Sequence, residues 1–342
     1  LQRRFSVPPL PAAPEPVPVL LMGLGSIGLE MARLALSKRS LRVVGAVDPD
    51  PRKAGQDLSA LLDLPQPTGI QVAATLPAET AARLVLHSTL SFFPDVRGQL
   101  AELVDRGWNV VSSSEELSYP FLKYPQEAAE LDARAKARGV RVLGTGVNPG
   151  FVMDTWPLVM TGLAQETRHV RVERVVDASH RRYNLQKKIG AGMSVAEFEE
   201  AMAGGRMGHV GLVESVALIA AGLGWPLERI DEEIGPVVAE TATGSDFFDL
   251  APGQVAGLRQ TAVGIRGGEE AIALHLEMAL GAQNPRDRVI LDGRPALDVT
   301  VAGGVHGDAA TAAVLVNSAP RLLVTEPGLR TMLDLPLVRT VG

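Results

Sequence analysis

The stretch PVLLMGLGSIGLEMARLALSKR, residues 18–39, decides the fold. It opens as an apolar run of strand length, and Ile27, Met31, Leu34 and Ala35 then recur at helical spacing. Between the two stands Gly23-Leu24-Gly25-Ser26-Ile27-Gly28, a GxGxxG turn. In this strand–turn–helix setting Gly23 permits the tight turn, Gly25 leaves space for a pyrophosphate, and Gly28 lets helix and strand approach. Free N–H groups at the helix start, those of Ser26 and Ile27 included, then face the phosphates. Asp48 closes the next strand, LRVVGAVD (41–48). A carboxylate there accepts the ribose hydroxyls of an adenosine and favours NAD, although a turn or N-cap aspartate reads the same way. Arg52 and Lys53 lie just beyond and offer charge to a 2′-phosphate, so the expected cofactor is NAD or NADP.

The rest of the first 150 residues repeats the pattern. QVAATL, RLVLHST, NVVSSS and VRVLGTG alternate with helical stretches near 95–107 and 120–138, giving about six candidate strands. Apolar strands alternating with helices mean a doubly wound parallel sheet covered on both faces. After residue 150 the grammar changes. VRVERVVDAS reads as a strand, SVAEFEEAM and GLVESVALIAAGLG as helices, and 254–302 as strands separated by GG, NP and DG turns. The fold expected is α/β: a Rossmann domain over 19–150, then an α+β domain with a mostly antiparallel sheet over 151–304. A helical segment over 305–342, rich in small residues, packs back on the first domain. Residues 1–18 carry six prolines and read as an extended arm.

Composition narrows the function. The 342 residues carry 33 Lys+Arg against 39 Asp+Glu, a formal charge of −6, and no long basic run. Partners that need positive charge, nucleic acid and anionic membrane surfaces, are disfavoured. Cysteine is absent, which removes disulfides, thiolate nucleophiles and Cys-ligated metals and fits a cytoplasmic location. Six histidines without ligand spacing give no metal site. No stretch has the roughly 18–20 uninterrupted apolar residues of a membrane span.

A nicotinamide enzyme needs little beyond orientation and one group that handles protons. Such groups belong at strand C-termini or on a second domain facing the cleft. His87, Ser88 and Thr89 close one strand and either border the nicotinamide or cap the next helix. Glu115 and Glu116 leave the next strand in SSSEELSYP, and consecutive residues there point in different directions. Tyr119 follows as a cleft wall or a core residue. In GTGVNPGFVMDTW, Asn148 is placed to donate to the nicotinamide amide or to substrate, or to shape the turn before Pro149. Phe151, Asp154 and Trp156 line the pocket, or cap and pack the following helix. His180, Arg181, Arg182, Lys187 and Lys188 offer cations to a substrate carboxylate, or form a solvated loop. His209 and His306 are pocket or helix-start residues.

Several segments together resemble one family. GLGSIG (23–28), AVDPDPRKAG (46–55), HSTLSFF (87–93), VSSSEELSYP (111–120), GTGVNPGFVMD (144–154), DASHRRYNLQKKIGAGMS (177–194), GHVGLVES (208–215) and GGVHGDAATAAVLVN (303–317) run in the order found in 2,4-diaminopentanoate dehydrogenases and native amine dehydrogenases. These are relatives of dihydrodipicolinate reductase. The resemblance implies NAD(P)H-dependent reductive amination of a ketone or aldehyde with ammonia, its reversal, and a homodimer. It places a catalytic glutamate at Glu115 or Glu116, with Glu115 nearer the strand end. The HHxxK segment of true dihydrodipicolinate reductases is replaced by His180-Arg181-Arg182-Tyr183-Asn184, which counts against that activity. An ammonia-independent imine reductase and a cofactor-binding sensor without turnover remain the other readings.

Overall fold

The computed structural model describes residues 15–204 and 207–340. The arm expected over 1–18 lies outside the described residues up to residue 14. The first half runs β1 (Val17–Met22), α1 (Ser26–Ser37), β2 (Leu41–Val47), α2 (Leu58–Leu61), β3 (Val72–Ala73), β4 (Leu84–His87), α3 (Phe93–Asp105), β5 (Asn109–Ser112), α4 (Pro125–Arg138) and β6 (Arg141–Gly144). The second half runs α5 (Thr155–Thr161), β7 (Glu166–Asp177), α6 (Tyr183–Lys188), α7 (Val195–Ala203), α8 (Leu212–Leu223), β8 (Arg229–Val238), β9 (Thr243–Gly244), β10 (Asp249–Leu250), β11 (Val255–Arg266), β12 (Glu269–Ala279), β13 (Arg286–Arg294) and β14 (Leu297–Ala302). It closes with α9 (Gly307–Leu322) and β15 (Gly328–Arg330).

The first sheet has seven strands in the order β15-β6-β5-β4-β1-β2-β3, every pairing parallel. The chain reverses direction across the sheet between β1 and β4, so a crevice opens beyond their carboxyl ends. Strands β4 and β5 are buried along their whole length, as strands covered on both faces must be. The seventh strand is not among the six legible in the sequence. Its three residues, Gly-Leu-Arg, are too few for a periodic signal; tertiary contacts make it a strand, with Leu329 beside Val142 of β6 and its N–H donating to Asp132 Oδ1 at 3.0 Å.

The second sheet has six strands in the order β14-β13-β7-β12-β11-β8. Only β7 and β12 pair parallel; the other four pairings are antiparallel. One face buries Val170, Val172, Leu258, Ile272, Leu274 and Leu276 in a core shared with Leu212, Val216 and Ile219 of α8. Helix α9 returns to the first sheet. Ala312, Leu315, Val316 and Ala319 pack in one core with Met31, Ala32 and Ala35 of α1. Alanines on both helices allow the close approach. At its other end α9 is tied to the second sheet's domain by an ion pair of Asp308 with Arg181 at 2.9 Å.

Candidate active site

A cleft of about 380 Å³ lies where the crevice of the first sheet faces the second. From the first side come Gly25, Ser26 and Ile27 of the glycine turn, Ser88–Ser91 after β4, and Ser113 and Glu115 after β5. Asn148 follows β6. The opposite wall is built from Arg174 of β7, Arg182 and Lys188 around α6, and His209 before α8. A second cavity of about 710 Å³ continues over Gly23, Asp48, Pro49, Lys53 and Thr75 at the ends of β1 and β2.

The glycines behave as their spacing requires. A Cβ on Gly28 would sit 2.0 Å from the carbonyl oxygen of Gly23, so helix and turn touch there. Gly23 has φ +85°, and a Cβ on it would lie 2.1 Å from the Ser88 oxygen. Gly25 is different: a Cβ there would meet nothing within 4 Å, and the residue borders both cavities. No side chain caps α1 among the described residues, which leaves its first amides to an anion. These residues fit a dinucleotide, with open space at Gly25 and uncapped amides at the start of α1.

Asp48 is buried and anchors the turn, its Oδ2 accepting from Leu24 N–H at 2.7 Å and from Lys53 Nζ at 2.9 Å. Its Oδ1 accepts from Asp50 N–H at 2.9 Å. Burial pushes the carboxyl up, but the Lys53 ammonium and the two amides outweigh it, and the net lies below the usual carboxylate range. Arg52, expected at the adenosine, instead pairs with Asp50 at 2.7 Å and points to solvent, 86% exposed. Its neighbour Lys53 lines the cavity because the first turn after Asp48 rotates successive side chains apart.

Glu115 and Glu116 part company. They enter a 3₁₀ turn over Glu116–Ser118, whose successive side chains diverge by about 120°. Glu116 turns inward: its Oε2 accepts from Phe93 N–H at 2.9 Å at the start of α3, and its Oε1 meets Lys123 at 3.2 Å. It is not among the cleft residues. Glu115 is, partly buried beside Ser91. Burial pushes its carboxyl above the usual range, against the pull of the Lys188 ammonium and with a smaller push from Glu116.

Asn148 lines the cleft at 8% exposure, and neither its amide nitrogen nor its amide oxygen has a partner among the described residues. A buried amide left unpaired at a cavity is a place for a ligand's donor and acceptor. Its backbone oxygen accepts from His209 Nε2 at 3.1 Å, which assigns the proton of that ring to Nε2. Burial, helped by Lys188 and Arg174, pushes His209 down to about 3, so the ring is neutral at physiological pH.

The cationic wall is mostly committed. Arg174 pairs with Asp287 at 2.6 Å, both buried, and Arg181 and Arg182 share Asp308 at 2.9 and 3.8 Å. Lys188 has no carboxylate within ion-pair distance among the described residues, which leaves its charge for a ligand.

Other expected site residues lie elsewhere. His87 is fully buried, with Nδ1 beside Ser112 Oγ at 2.8 Å and Nε2 beside Gln99 Oε1 at 2.9 Å; alternation along β4 turns it under the sheet while Ser88 and Thr89 reach the cleft. Its burial pushes it down to about 4. Asp154 is fully buried as the N-cap of α5, accepting from Gly150 N–H and Ser215 Oγ, each at 2.7 Å. Phe151 and Trp156 border a separate apolar cavity with Val301 and Val338. Tyr119 faces a groove beside Trp225, and His180 is exposed. His306 caps α9. Ser91, Ser113 and Arg174 were not anticipated. An arginine inside an alternating strand reads as a solvent-facing residue, and nothing local announces its buried partner Asp287, 113 positions later.

Among the described residues no helix is long and apolar enough to cross a membrane, and no group of three His, Asp or Glu side chains is placed to hold a metal ion. The family model of the 2,4-diaminopentanoate dehydrogenase C-terminal domain matches residues 151–342. The 2,4-diaminopentanoate dehydrogenase of Acetoanaerobium sticklandii is 33% identical over 337 residues, covering 96% of this chain and 95% of that one. An amine dehydrogenase of Streptomyces virginiae is 24% identical over 353 residues, covering 95% and 98%. The solved structure of an amine dehydrogenase from Mycobacterium smegmatis superposes with a TM-score of 0.83 at 26% identity, over 95% of this chain and 97% of that one.

Proposed function

The chain belongs to the 2,4-diaminopentanoate dehydrogenase family, and from that premise we propose that it aminates a carboxylate-bearing ketone, with Glu115 as the proton-handling group. It is an NAD(P)-dependent oxidoreductase acting on amine groups. The observation that carries the proposal is one partly buried carboxyl, Glu115, in the cleft between the dinucleotide cradle and the wall bearing Lys188 and His209.

The reaction joins a carbonyl and ammonia, loses water to form an iminium ion, and reduces that carbon to the amine. When bound, the nicotinamide supplies the hydride. Glu115 takes a proton from the attacking ammonia and returns it to the carbinolamine oxygen, and a second proton, delivered by ammonium or solvent, lets that oxygen leave as water. Its anion then stands beside the C=N⁺ centre, an interaction that strengthens where water is excluded. The unpaired Asn148 amide is suited to the carboxamide of the cofactor or to the substrate. Gly25, Ser26 and Ile27 hold the pyrophosphate and Asp48 the ribose; Lys53, beside Asp48, supports use of NADP as well as NAD. Lys188 receives the substrate carboxylate, with Arg182 near. The chemistry draws on a reduced nicotinamide pool and needs no disulfide, in keeping with a cytoplasmic enzyme.

The test is a panel of ketones with and without a carboxylate, each with NADH and NADPH, with and without ammonium, followed at the nicotinamide absorbance. Oxidation is expected only with ammonium. Lys188→Met should raise KM for the carboxylated ketones about tenfold or more and leave the neutral ones unchanged. Oxidation that ignores ammonium would overturn amination in favour of direct carbonyl reduction. No turnover with any ketone but turnover of a preformed cyclic imine would point to an imine reductase, and none with either to a cofactor sensor.

The homodimer is part of the same proposal. The sheet face turned away from α8 carries mixed charges side by side: Glu173 with Arg286 at 2.8 Å and Arg259 with Glu277 at 2.9 Å. A face carrying both signs suits pairing with its own copy about a two-fold axis. Light scattering should give about twice the 36.2 kDa chain mass, and a single-chain mass would end the claim.

A further inference from the structure

We propose that Lys123 is a positioning residue: its ammonium clamps the turn that carries Glu115 to helix α8 of the second domain through two buried carboxylates, Glu116 and Glu214. The inference rests on the reading of Glu115 given above. Lys123 Nζ lies 3.2 Å from Glu116 Oε1 and 2.8 Å from Glu214 Oε1, with the carboxylate side chains 4% and 1% exposed. Glu116 adjoins Glu115 in the chain. Glu214 stands in the first turn of α8, directly after the loop that brings His209 to the cleft. The bridge therefore fixes one wall of the cleft against the other from outside it.

Three features make this a device for position. First, the Glu115 turn is held on the side of its own domain. Glu116 Oε2 caps the start of α3 at Phe93, Ser118 N–H donates to the Glu115 carbonyl at 3.1 Å, and Gly144 lies so close beneath that a Cβ there would be 2.3 Å from the Leu117 carbonyl carbon. The turn also packs against α8 of the second domain, and there Lys123 adds a charged tie between the two. Second, apart from its own backbone N–H the Glu214 carboxylate meets no donor but Lys123 among the described residues, so its buried charge is answered chiefly by Lys123. A buried charge without a partner is costly, so the domains gain by staying together at this point. Third, one ammonium serves two carboxylates. Burial pushes Glu214 up against the pull of Lys123, with a smaller push from Glu116. Lys123 is held above the usual lysine range by Glu214 and Glu116 against its own burial.

The charged or titratable groups around the bridge and Glu115 are Glu116, Tyr124 and Lys123 on the first domain, Glu214 on α8, and Lys188 on α6. Loss of the Lys123 charge leaves Glu116 unbalanced beside Glu115. The Glu115 carboxyl then rises further, and the acid limb of the rate profile moves to higher pH.

The experiment compares Lys123→Met, Lys123→Arg, Glu214→Gln and Glu115→Gln in the full chain under steady-state amination. A displacement of about 1 Å in a reacting group costs about 100-fold, and Lys123→Met should lose that much in kcat while KM for the cofactor stays within about twofold. Its acid limb should shift upward. Lys123→Arg, which keeps the charge and can reach both oxygens, should recover most of the rate. Glu214→Gln, which preserves the packing and removes the cross-domain charge, should lower kcat about tenfold without the upward shift. Should Lys123→Met not fold, the arginine and Glu214 variants carry the same test. Wild-type kcat in Glu214→Gln and Lys123→Met, or in Glu214→Gln alone where the methionine variant does not fold, overturns the bridge. So does an unshifted acid limb in a folded Lys123→Met. If Glu115→Gln keeps its rate, the reading of Glu115 falls and the bridge proposal with it. If Glu115→Gln is inactive while the bridge variants match wild type, only the bridge falls.

Discussion

Glu115→Gln should lower the amination rate by about 10³-fold while the cofactor still binds, the usual loss when a positioned acid–base group is removed. Glutamine keeps the shape and one acceptor oxygen. It loses the charge that steadies an iminium ion and the ability to move a proton. The same change at Glu116 strikes a side chain that caps α3 and meets Lys123, away from the cleft, so its effect should be on stability and geometry. The pH profile separates the roles further. Burial raises the Glu115 carboxyl above its ordinary 4.5, so wild-type kcat/KM should fall as pH drops through that raised value. The Glu115→Gln profile should lack the limb, and comparison on one substrate removes the ionisation of ammonia itself. The sign for stability is opposite to that for activity. A carboxyl whose folded-state value is raised loses stability as pH climbs past its unfolded value, because folding then buries a charge. At pH 7 the glutamine variant should therefore be at least as stable as wild type, and a destabilised inactive variant would argue for a structural role instead.

Asp287→Ala should cost about 3–5 kcal/mol, the penalty for stranding the other half of a buried ion pair. Asp287 is fully buried and Arg174 is 2% exposed. The carboxylate accepts from Arg174 Nη1 at 2.6 Å and from Val305 N–H at 2.7 Å, while Arg174 Nη2 donates to the Val305 carbonyl at 2.9 Å. One network thus ties β7, β13 and the turn before α9. Because Arg174 also lines the cleft, a stranded guanidinium would disturb the wall facing Glu115 as well as the core. Urea unfolding followed by circular dichroism reads the loss, and a cost below about 1 kcal/mol would mean that the arginine finds water or another partner.

How much of this was legible depended on distance along the chain. GLGSIG was readable because every contact it needs is local: Gly28 touches Gly23 five residues back, and Gly25 is left facing open space. Asp48 was legible as the acidic end of β2, but its hold on Leu24 N–H needed the fold. Arg52 and Lys53 looked equivalent, and only the turn after Asp48 sends one to solvent and the other into the cavity. The place of His87 is not legible in the sequence because its strand is buried on both faces, so the period of two carries no inside–outside message there. For Asp154 and Trp156 the sequence leaves pocket lining and helix capping or packing open, and the fold decides for capping and packing α5.

By itself the sequence determined a dinucleotide-binding α/β domain joined to a mostly antiparallel one, because strand and helix periods and a glycine turn are short-range properties. Tertiary structure alone decided which of two adjacent glutamates faces the cleft, since a 3₁₀ turn sends neighbours about 120° apart and only packing says which direction the cleft lies. It also decided that Lys188 alone in the cationic wall is unclaimed by a carboxylate among the described residues, because the partners of the arginines come from strands and helices more than a hundred residues away.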